Sequence, residues 1–258
     1  HAEYLQRLLE GEYQRRQERA LERRVQAARF PVLKTLDRFR WDWPTKLNEV
    51  QVKNIFRLSF VEKKTNAILV GGCGLGKTHL MHAVGHYLLS QNKMGRVAYV
   101  STERFVNEYI DAIQNKRFTP FRKKYRSCDI LLMDDVHFLA RGDQMQEEFF
   151  HTFNVLSESQ KQIVLSSDRP ATEIANLEQR LVSRFEWGLT VQLQPPDEET
   201  RVAILRKKQE NSQIPIADEI LLFLARHIKT NIRRLEGAWA KIWFSSKLKG
   251  RPLSLSEV

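Results

Sequence analysis

Residues 71–78 read GGCGLGKT, a full match to G-x-x-x-x-G-K-[ST], and these residue types are the ones needed to hold a polyphosphate. Gly71, Gly72, Gly74 and Gly76 let backbone N–H groups curl around phosphate oxygens. Lys77 would reach the β- and γ-phosphates, and the Thr78 hydroxyl would take a place on Mg²⁺. Cys73, Leu75 and His79 complete the stretch expected to wrap the ligand, with the start of a helix adding positive potential behind it. A second constellation is Asp134-Asp135, placed after the apolar run Ile130-Leu131-Leu132-Met133. Downstream of a phosphate loop, Asp134 would hold Mg²⁺, largely through its water, and Asp135 would orient or deprotonate an attacking water. Alone, two such aspartates are also an ordinary strand-end turn. The same choice attends Ser166-Ser167-Asp168 after Ile163-Val164-Leu165: a contact to the γ-phosphate or its water, or a turn into Arg169-Pro170. The expected ligand is ATP or ADP with Mg²⁺.

The surrounding elements are those such a site requires. Ala67-Ile68-Leu69-Val70 predicts the strand that delivers the loop, and a helix follows it. Further strands are predicted over residues 96–100, 130–133, 163–165 and 187–193, with helices over 103–115 and 146–156. Phe149, Phe150 and Phe153 read as core rather than as a base-stacking platform. Lys116, Arg117, Arg122, Lys123, Lys124 and Arg126 read as a basic turn. Strands alternating with helices predict an α/β fold with a parallel sheet and right-handed crossovers. Pro195-Pro196 then punctuates the chain, Asp197 is suited to cap a helix, and residues 198–249 are helical in pattern apart from breaks near 214–215 and 229–231. That pattern predicts a small helical lid.

Upstream, residues 2–29 predict one helix, with Leu5, Leu8, Leu9, Leu21, Val25 and Ala28 at helical spacing. Arg15, Arg16, Arg19, Arg23 and Arg24 interleave with Glu12, Glu18 and Glu22 along it. The stretch is either a solvated helix held by i,i+3 and i,i+4 ion pairs or an arm facing phosphates or a partner. Its stripe lacks the bulky aromatic anchors of a membrane-surface helix. Phe30-Pro31 ends it, a linker carrying Leu36, Phe39, Trp41 and Trp43 follows, and helical spacing returns over 51–61. The expected division is 1–50 helical arm and linker, 51–196 nucleotide-binding domain and 197–258 lid.

Composition narrows the partners. The 258 residues carry a formal net charge of +11, which makes an acidic partner the expectation: nucleic acid first, an anionic membrane surface second. No run approaches the roughly 20 apolar residues of a spanning helix, and no signal peptide is visible. Two cysteines, Cys73 and Cys128, are too few for a disulfide framework, so a reducing cytoplasm is the expected setting. His1 in place of Met suggests that the natural start is missing or altered.

Several separated stretches now support a family resemblance. GGCGLGKTHLMHAVGHYLL, DILLMDDVHFLA, QEEFFHTFN, IVLSSDRP, RLVSRFEWGLTVQLQPPDEETRVAILRKK and NIRRLEGAWAKI make residues 68–250 resemble the ATPase domain of the DnaA family of bacterial replication initiators, within the AAA+ superfamily. ALERRVQAARFPVLKTLDRF and WDWPT make residues 2–67 resemble the amino-terminal part of IstB/DnaC-type ATPases, which are transposition regulators and helicase loaders. The resemblance implies a three-layer AAA+ domain with a central five-stranded parallel sheet and a helical lid. It further implies that Arg184 is an arginine finger reaching a neighbouring subunit's γ-phosphate, with Arg180 supporting it, Arg233 as the lid's sensor 2 and Asp168 as sensor 1. A finger acting in trans implies a homo-oligomer. DNA, duplex or single-stranded, is the implied partner, with a replicative helicase or a transposase beside it. Ile110 matches the family's apolar strand contact, and Lys116, Arg117 and Arg141 with Arg15, Arg16, Arg19 and Arg23 are the candidate DNA contacts. Gly142 and Gln144 stand where the family's single-strand loop is usually basic, and Arg234 where it usually has Glu. The family also continues past the lid into a helix-turn-helix domain, which these residues do not include. Three readings follow: an initiator or helicase-loader ATPase assembling on DNA, an IstB-like regulator serving a transposase, and an adaptor whose nucleotide switches partner affinity.

Overall fold

The computed structural model describes residues 2–31, 65–90, 95–210, 212 and 214–257. The linker residues Leu36, Phe39, Trp41 and Trp43 and the helix expected over 51–61 lie outside them. Five strands, β1 (Ala67–Val70), β2 (Val97–Ser101), β3 (Ile130–Asp134), β4 (Gln162–Ser167) and β5 (Leu189–Gln192), pair in parallel in the order β2-β3-β4-β1-β5. Their side chains alternate. Ile130 and Leu132 of β3 pack on one face with Leu69, Val164 and Val191, while Leu131 and Met133 pack on the other with Ile68, Val70, Ile163 and Leu165. A sheet apolar on both faces has to be covered on both, and it is.

On the first face lie α1 (Ala2–Ala28), α2 (Lys77–Ser90) and the lid helices α7 (Glu198–Gln209), α8 (Asp218–His227) and α9 (Ile232–Lys249). On the second lie α3 (Thr102–Gln114), α4 (Phe118–Arg126), α5 (Asp143–Glu158) and α6 (Gln179–Glu186). The expected three layers and helical lid are therefore present. The long first helix is also present, and its last turns join the core through Leu21, Val25 and buried Ala28. Just beyond it, the Phe30 ring lies against His86 with centroids 4.4 Å apart and seats over Gly85, where a Cβ would stand 2.5 Å from Phe30 Cζ. Among the described residues no helix is long and apolar enough to cross a membrane.

Two expectations need correction. The strand predicted over 187–193 starts only at Leu189, because the Trp187 N–H donates to the Ser183 carbonyl (3.2 Å) and so finishes α6. The basic turn predicted through Arg126 is instead a turn at Lys116 (φ +55°) followed by α4. Charges at neighbouring positions hid an apolar face. Phe121 and Tyr125 pack on Phe105 with ring centroids 5.2 and 5.0 Å apart, closing part of the second core. Arg122 and Arg126 converge on the buried Glu148 carboxylate of α5 at 2.8 and 2.6 Å, and Lys124 pairs with Glu108 of α3. Burial of Glu148 requires these donors. Glu148→Gln is expected to lower unfolding stability by about 2 kcal/mol, the scale of a lost charge-assisted hydrogen bond. A urea midpoint equal to the parent's would show that the two guanidinium contacts contribute nothing.

Candidate functional site

The loop that follows β1 turns back on itself through Gly74 and Gly76, whose φ angles of +82° and +88° suit glycine. Gly74 has a second constraint: a Cβ there would stand 2.7 Å from Asn231 Oδ1 and 3.1 Å from the Arg233 nitrogen at the start of α9. The loop and the lid thus meet at a residue with no side chain. Between them opens a cavity of about 430 Å³, lined by Cys73 through His79, by Asp135, His137, Phe138 and Asp168, and by Ile232, Arg233 and Glu236 of the lid. Gly71 and Gly72 stand behind the lining and offer their carbonyls to Lys77 Nζ at 2.6 and 2.9 Å. Burial lowers the Lys77 pKa, opposed by the nearby carboxylates Asp135 and Asp134. An ammonium held in this way, at the N-terminus of α2, is suited to exchange loop carbonyls for phosphate oxygens.

Asp134 ends β3, and only 4% of its surface is exposed. Thr78 Oγ1 donates to one carboxylate oxygen at 2.7 Å, joined by the Tyr99 hydroxyl at 3.1 Å, and the Ser166 hydroxyl donates to the other. Burial, with the Asp134 charge beside it, pushes the Tyr99 phenol pKa up, so the phenol stays a donor. The Thr78 hydroxyl and the Asp134 carboxylate form a set of hard oxygen donors at the mouth of the loop, which fits Mg²⁺. Asp135 follows in the left-handed region at φ +58°, its N–H donating to Ser166 Oγ at 2.9 Å, and its side chain faces the cavity. Burial, then the Asp134 charge, raises the Asp135 pKa. Asp168 is held by both guanidinium branches of Arg169 at 2.9 and 3.0 Å, which lowers its pKa. His137 Nδ1 lies 3.5 Å from the same carboxylate, and burial lowers the imidazole's pKa.

Lys77, Thr78, Asp134, Asp135, Asp168 and Arg233 are therefore gathered at one place, with Cys73, Leu75 and His79 on its wall. Arg184 is not among them. It stands on α6, outside the cavity lining, and its side chain makes no hydrogen bond or ion pair among the described residues. Arg180 pairs with Glu178 and lies over the Phe150 ring, 4.6 Å from its centroid. The candidate DNA contacts fall in two places. Ile110, 43% exposed on α3, lies on a helix that packs against the short 3₁₀ helix Val136–Arg141, whose Arg141 stacks over Phe138 at 4.3 Å, and Lys116 and Arg117 follow α3. Arg15, Arg16, Arg19 and Arg23 lie on α1, where Arg16 pairs with Glu12 at 3.0 Å as a solvated helix would have it. Sequence reasoning missed His137, Phe138, Ile232 and Glu236 of the lining and the Tyr99 donor. His137 carried a signal, lying two residues past the aspartate pair. Tyr99 carried none, because only strand pairing brings β2 beside Asp134.

The sheet order, the phosphate loop and the acidic end of β3 define a P-loop protein of the AAA+ class. Residues 46–192 match the bacterial DnaA ATPase domain, and the chain belongs to that family. The match begins inside the segment expected to resemble IstB/DnaC-type proteins. The chromosomal replication initiator protein DnaA of Lachnoclostridium phytofermentans is 54% identical over 189 residues, which cover 72% of this chain and 42% of that protein. The chain therefore spans less than half the length of that relative. The crystal structure of domain III of the Thermotoga maritima replication initiation protein DnaA is 39% identical with a TM-score of 0.72, covering 82% of this chain and 89% of that one. A replication initiator DnaA bound to AMPPCP and single-stranded DNA is 32% identical with a TM-score of 0.67, covering 81% and 64%.

Lys77→Ala removes the one ammonium in the loop and leaves the glycine turn in place. ATP affinity measured by calorimetry is expected to fall at least about 100-fold, since charge-assisted phosphate contacts are the strong ones. Affinity within twofold of the parent would show that Lys77 does not face the phosphates.

Proposed function

We propose that this chain binds ATP with Mg²⁺ and hydrolyses it at junctions between copies of itself, assembling on DNA in the initiation of replication. The observation that carries the reading is a division of labour: six of the seven candidate polar groups converge on one place with the loop, while the Arg184 side chain stands outside it with no partner among the described residues. In this reading Lys77 neutralises the β- and γ-phosphates, and Thr78 with Asp134 holds the metal. Bound there, Mg²⁺ would neutralise phosphate charge and fix the phosphate geometry. Asp135 accepts the proton of the attacking water, with Asp168 and Arg233 facing the same space. Arg184 supplies its cation to the neighbouring copy's cavity. The residues 1–50, 51–196 and 197–258 act as arm and linker, nucleotide domain and lid.

The net charge of +11 favours DNA, and a relative of the same fold holds single-stranded DNA with a nucleotide analogue. Ile110, Arg141, Lys116 and Arg117 are the proposed strand contacts. The α1 arginines Arg15, Arg16, Arg19 and Arg23 serve a second nucleic-acid or partner face. The setting is the cytoplasm, and the protein partner a replicative helicase. Turnover stimulated by single strands fits this reading. Stimulation by duplex alone would favour a transposition regulator working with a transposase, and indifference to both a nucleotide-switched adaptor.

Asp135→Asn is expected to keep ATP affinity while turnover falls about 100-fold or more, the typical contribution of a general base. Parent-like hydrolysis would remove Asp135 from that role. Arg184→Ala is expected to bind ATP as the parent does, yet to lose ATP-dependent assembly and most turnover, by about 10³-fold if the finger acts as in GTPase activation. Mixing it with Lys77→Ala should restore activity, because one junction then joins an intact loop to an intact finger. Activity in the single variant, or none in the mixture, would end the trans-finger assignment.

A further inference from the structure

We propose that Gln146 is a positioning residue for the trans arginine: through one amide it fixes the entry of α6 and so the place of Arg184. This rests on the reading of Arg184 as a finger. Gln146 lies in the first turn of α5 and has no exposed surface. Its Nε2 donates to the Asn176 carbonyl at 3.0 Å, and its Oε1 accepts the Glu178 N–H at 2.8 Å. Both partners are backbone groups of the segment that leads into α6. Asn176 sits at φ +61°, a left-handed conformation that Asn tolerates but does not favour without support. Glu178 is the residue that caps α6, and its carbonyl accepts the Leu181 N–H at 2.9 Å, the first bond of that helix. No side chain caps this end. The orientation of α6 at its start is therefore set from α5, by an amide that grips the chain on both sides of Leu177.

The rest of α5 works in the same direction. Phe149 and Phe153 meet Phe185 with ring centroids 6.1 and 6.3 Å apart, and Phe150 lies under Arg180. These contacts hold α6 down, but the apolar burial they supply is non-directional and their ring geometry fixes the helix only loosely. A hydrogen-bonded amide is directional, and its two bonds fix rotation and translation at the helix entry. Arg184 lies six residues past Glu178, less than two turns along an eight-residue helix. An error at the entry is carried to it almost undiminished. At this same N-terminal end α5 follows the 3₁₀ segment Val136–Arg141, whose His137 and Phe138 line the cavity. The same short run of chain thus lines the subunit's own cavity and places the cation meant for its neighbour's.

The test is complementation, which separates a finger defect from general damage. Gln146→Met keeps the length of the side chain and removes both hydrogen bonds. Alone, it is expected to bind ATP within about twofold of the parent by calorimetry and to lose turnover on the order of 100-fold, the scale for a misplaced catalytic group. Mixed with Lys77→Ala, which carries a sound finger but a defective loop, it should regain activity. Mixed with Arg184→Ala, which shares its defect, it should not. Parent-like turnover, rescue by Arg184→Ala, or failure with both partners while Arg184→Ala and Lys77→Ala still complement each other would each overturn the proposal. If that reference pair itself fails, the trans-finger reading is wrong and the role of Gln146 falls with it. Gln146→Glu is the second variant. It retains the acceptor for Glu178 N–H but opposes the Asn176 carbonyl, so it should show the same pattern of rescue, and parent-like behaviour would likewise overturn the proposal.

Discussion

A carboxylate taken out of water is stable only where donors replace the water, and Asp134 states that requirement most strongly in this molecule. Its donors come from three places in the chain: Thr78 at the start of α2, Tyr99 in β2 and Ser166 in β4. Its own carbonyl accepts the Thr102 hydroxyl at 2.9 Å, which pins the start of α3 as well. The acidic end of one strand therefore ties together two neighbouring strands and two helices. The parallel register makes this possible by setting Ser101 level with Asp134 at the carboxyl edge of the sheet. Ligands of open parallel sheets bind at that edge. Here the edge is organised by a charge before any ligand arrives.

The second dependence is steric. Gly74 is both in a left-handed conformation and within van der Waals distance of the lid's first residues, so its missing side chain serves two purposes. Asn231, which a Cβ at Gly74 would strike, also caps α9 by accepting the Arg234 N–H at 3.1 Å. The start of the lid helix is thus fixed by its own cap and placed by a gap in the loop. The lid is held at its other side by Arg201, buried in α7, which donates to the Pro196 and Ala225 carbonyls at 2.5 and 2.7 Å. The hinge after β5 and the lid's second helix are joined through one guanidinium. These two contacts add direction to the apolar core that the lid helices share with the sheet.

How much of this could be read from the sequence depended on how local the cause was. The strand and loop form one unbroken motif and the aspartate pair closes another, and these two local patterns make Lys77, Thr78, Asp134 and Asp135 legible as one site. The period-two alternation of β3 was visible as an unbroken apolar run because both faces are covered. Residues 116–126 misled because the partners that make Arg122 and Arg126 structural lie on α5, more than 20 positions away. Trp187 misled because its apolar side chain suited a strand while its N–H was taken by α6. Tyr99 and Gln146 were invisible for one reason: a polar side chain read in its own stretch shows nothing of the backbone group or carboxylate that waits for it in another element.

A net charge of +11 says nothing of where the charge stands. A count treats all cations alike, whereas the fold sorts them. Arg122 and Arg126 are committed to Glu148, Lys124 to Glu108, Lys161 to Asp129 and Arg169 to Asp168, each as part of a contact between elements or within the site. These cations answer internal carboxylates and would have to break such pairs to meet an outside anion. Lys116 and Arg117 at the α3–α4 turn and Arg184 on α6 have no side-chain ion pair among the described residues, so meeting an anion costs them no existing partner. The net figure already subtracts these carboxylates, so pairing leaves it unchanged, and what the fold decides is where the unpaired cations stand. A phosphate brought to Arg184 would meet a cation that the fold has left without a counter-charge among the described residues, on a helix held by ring contacts to α5 and by the Gln146 amide at its entry.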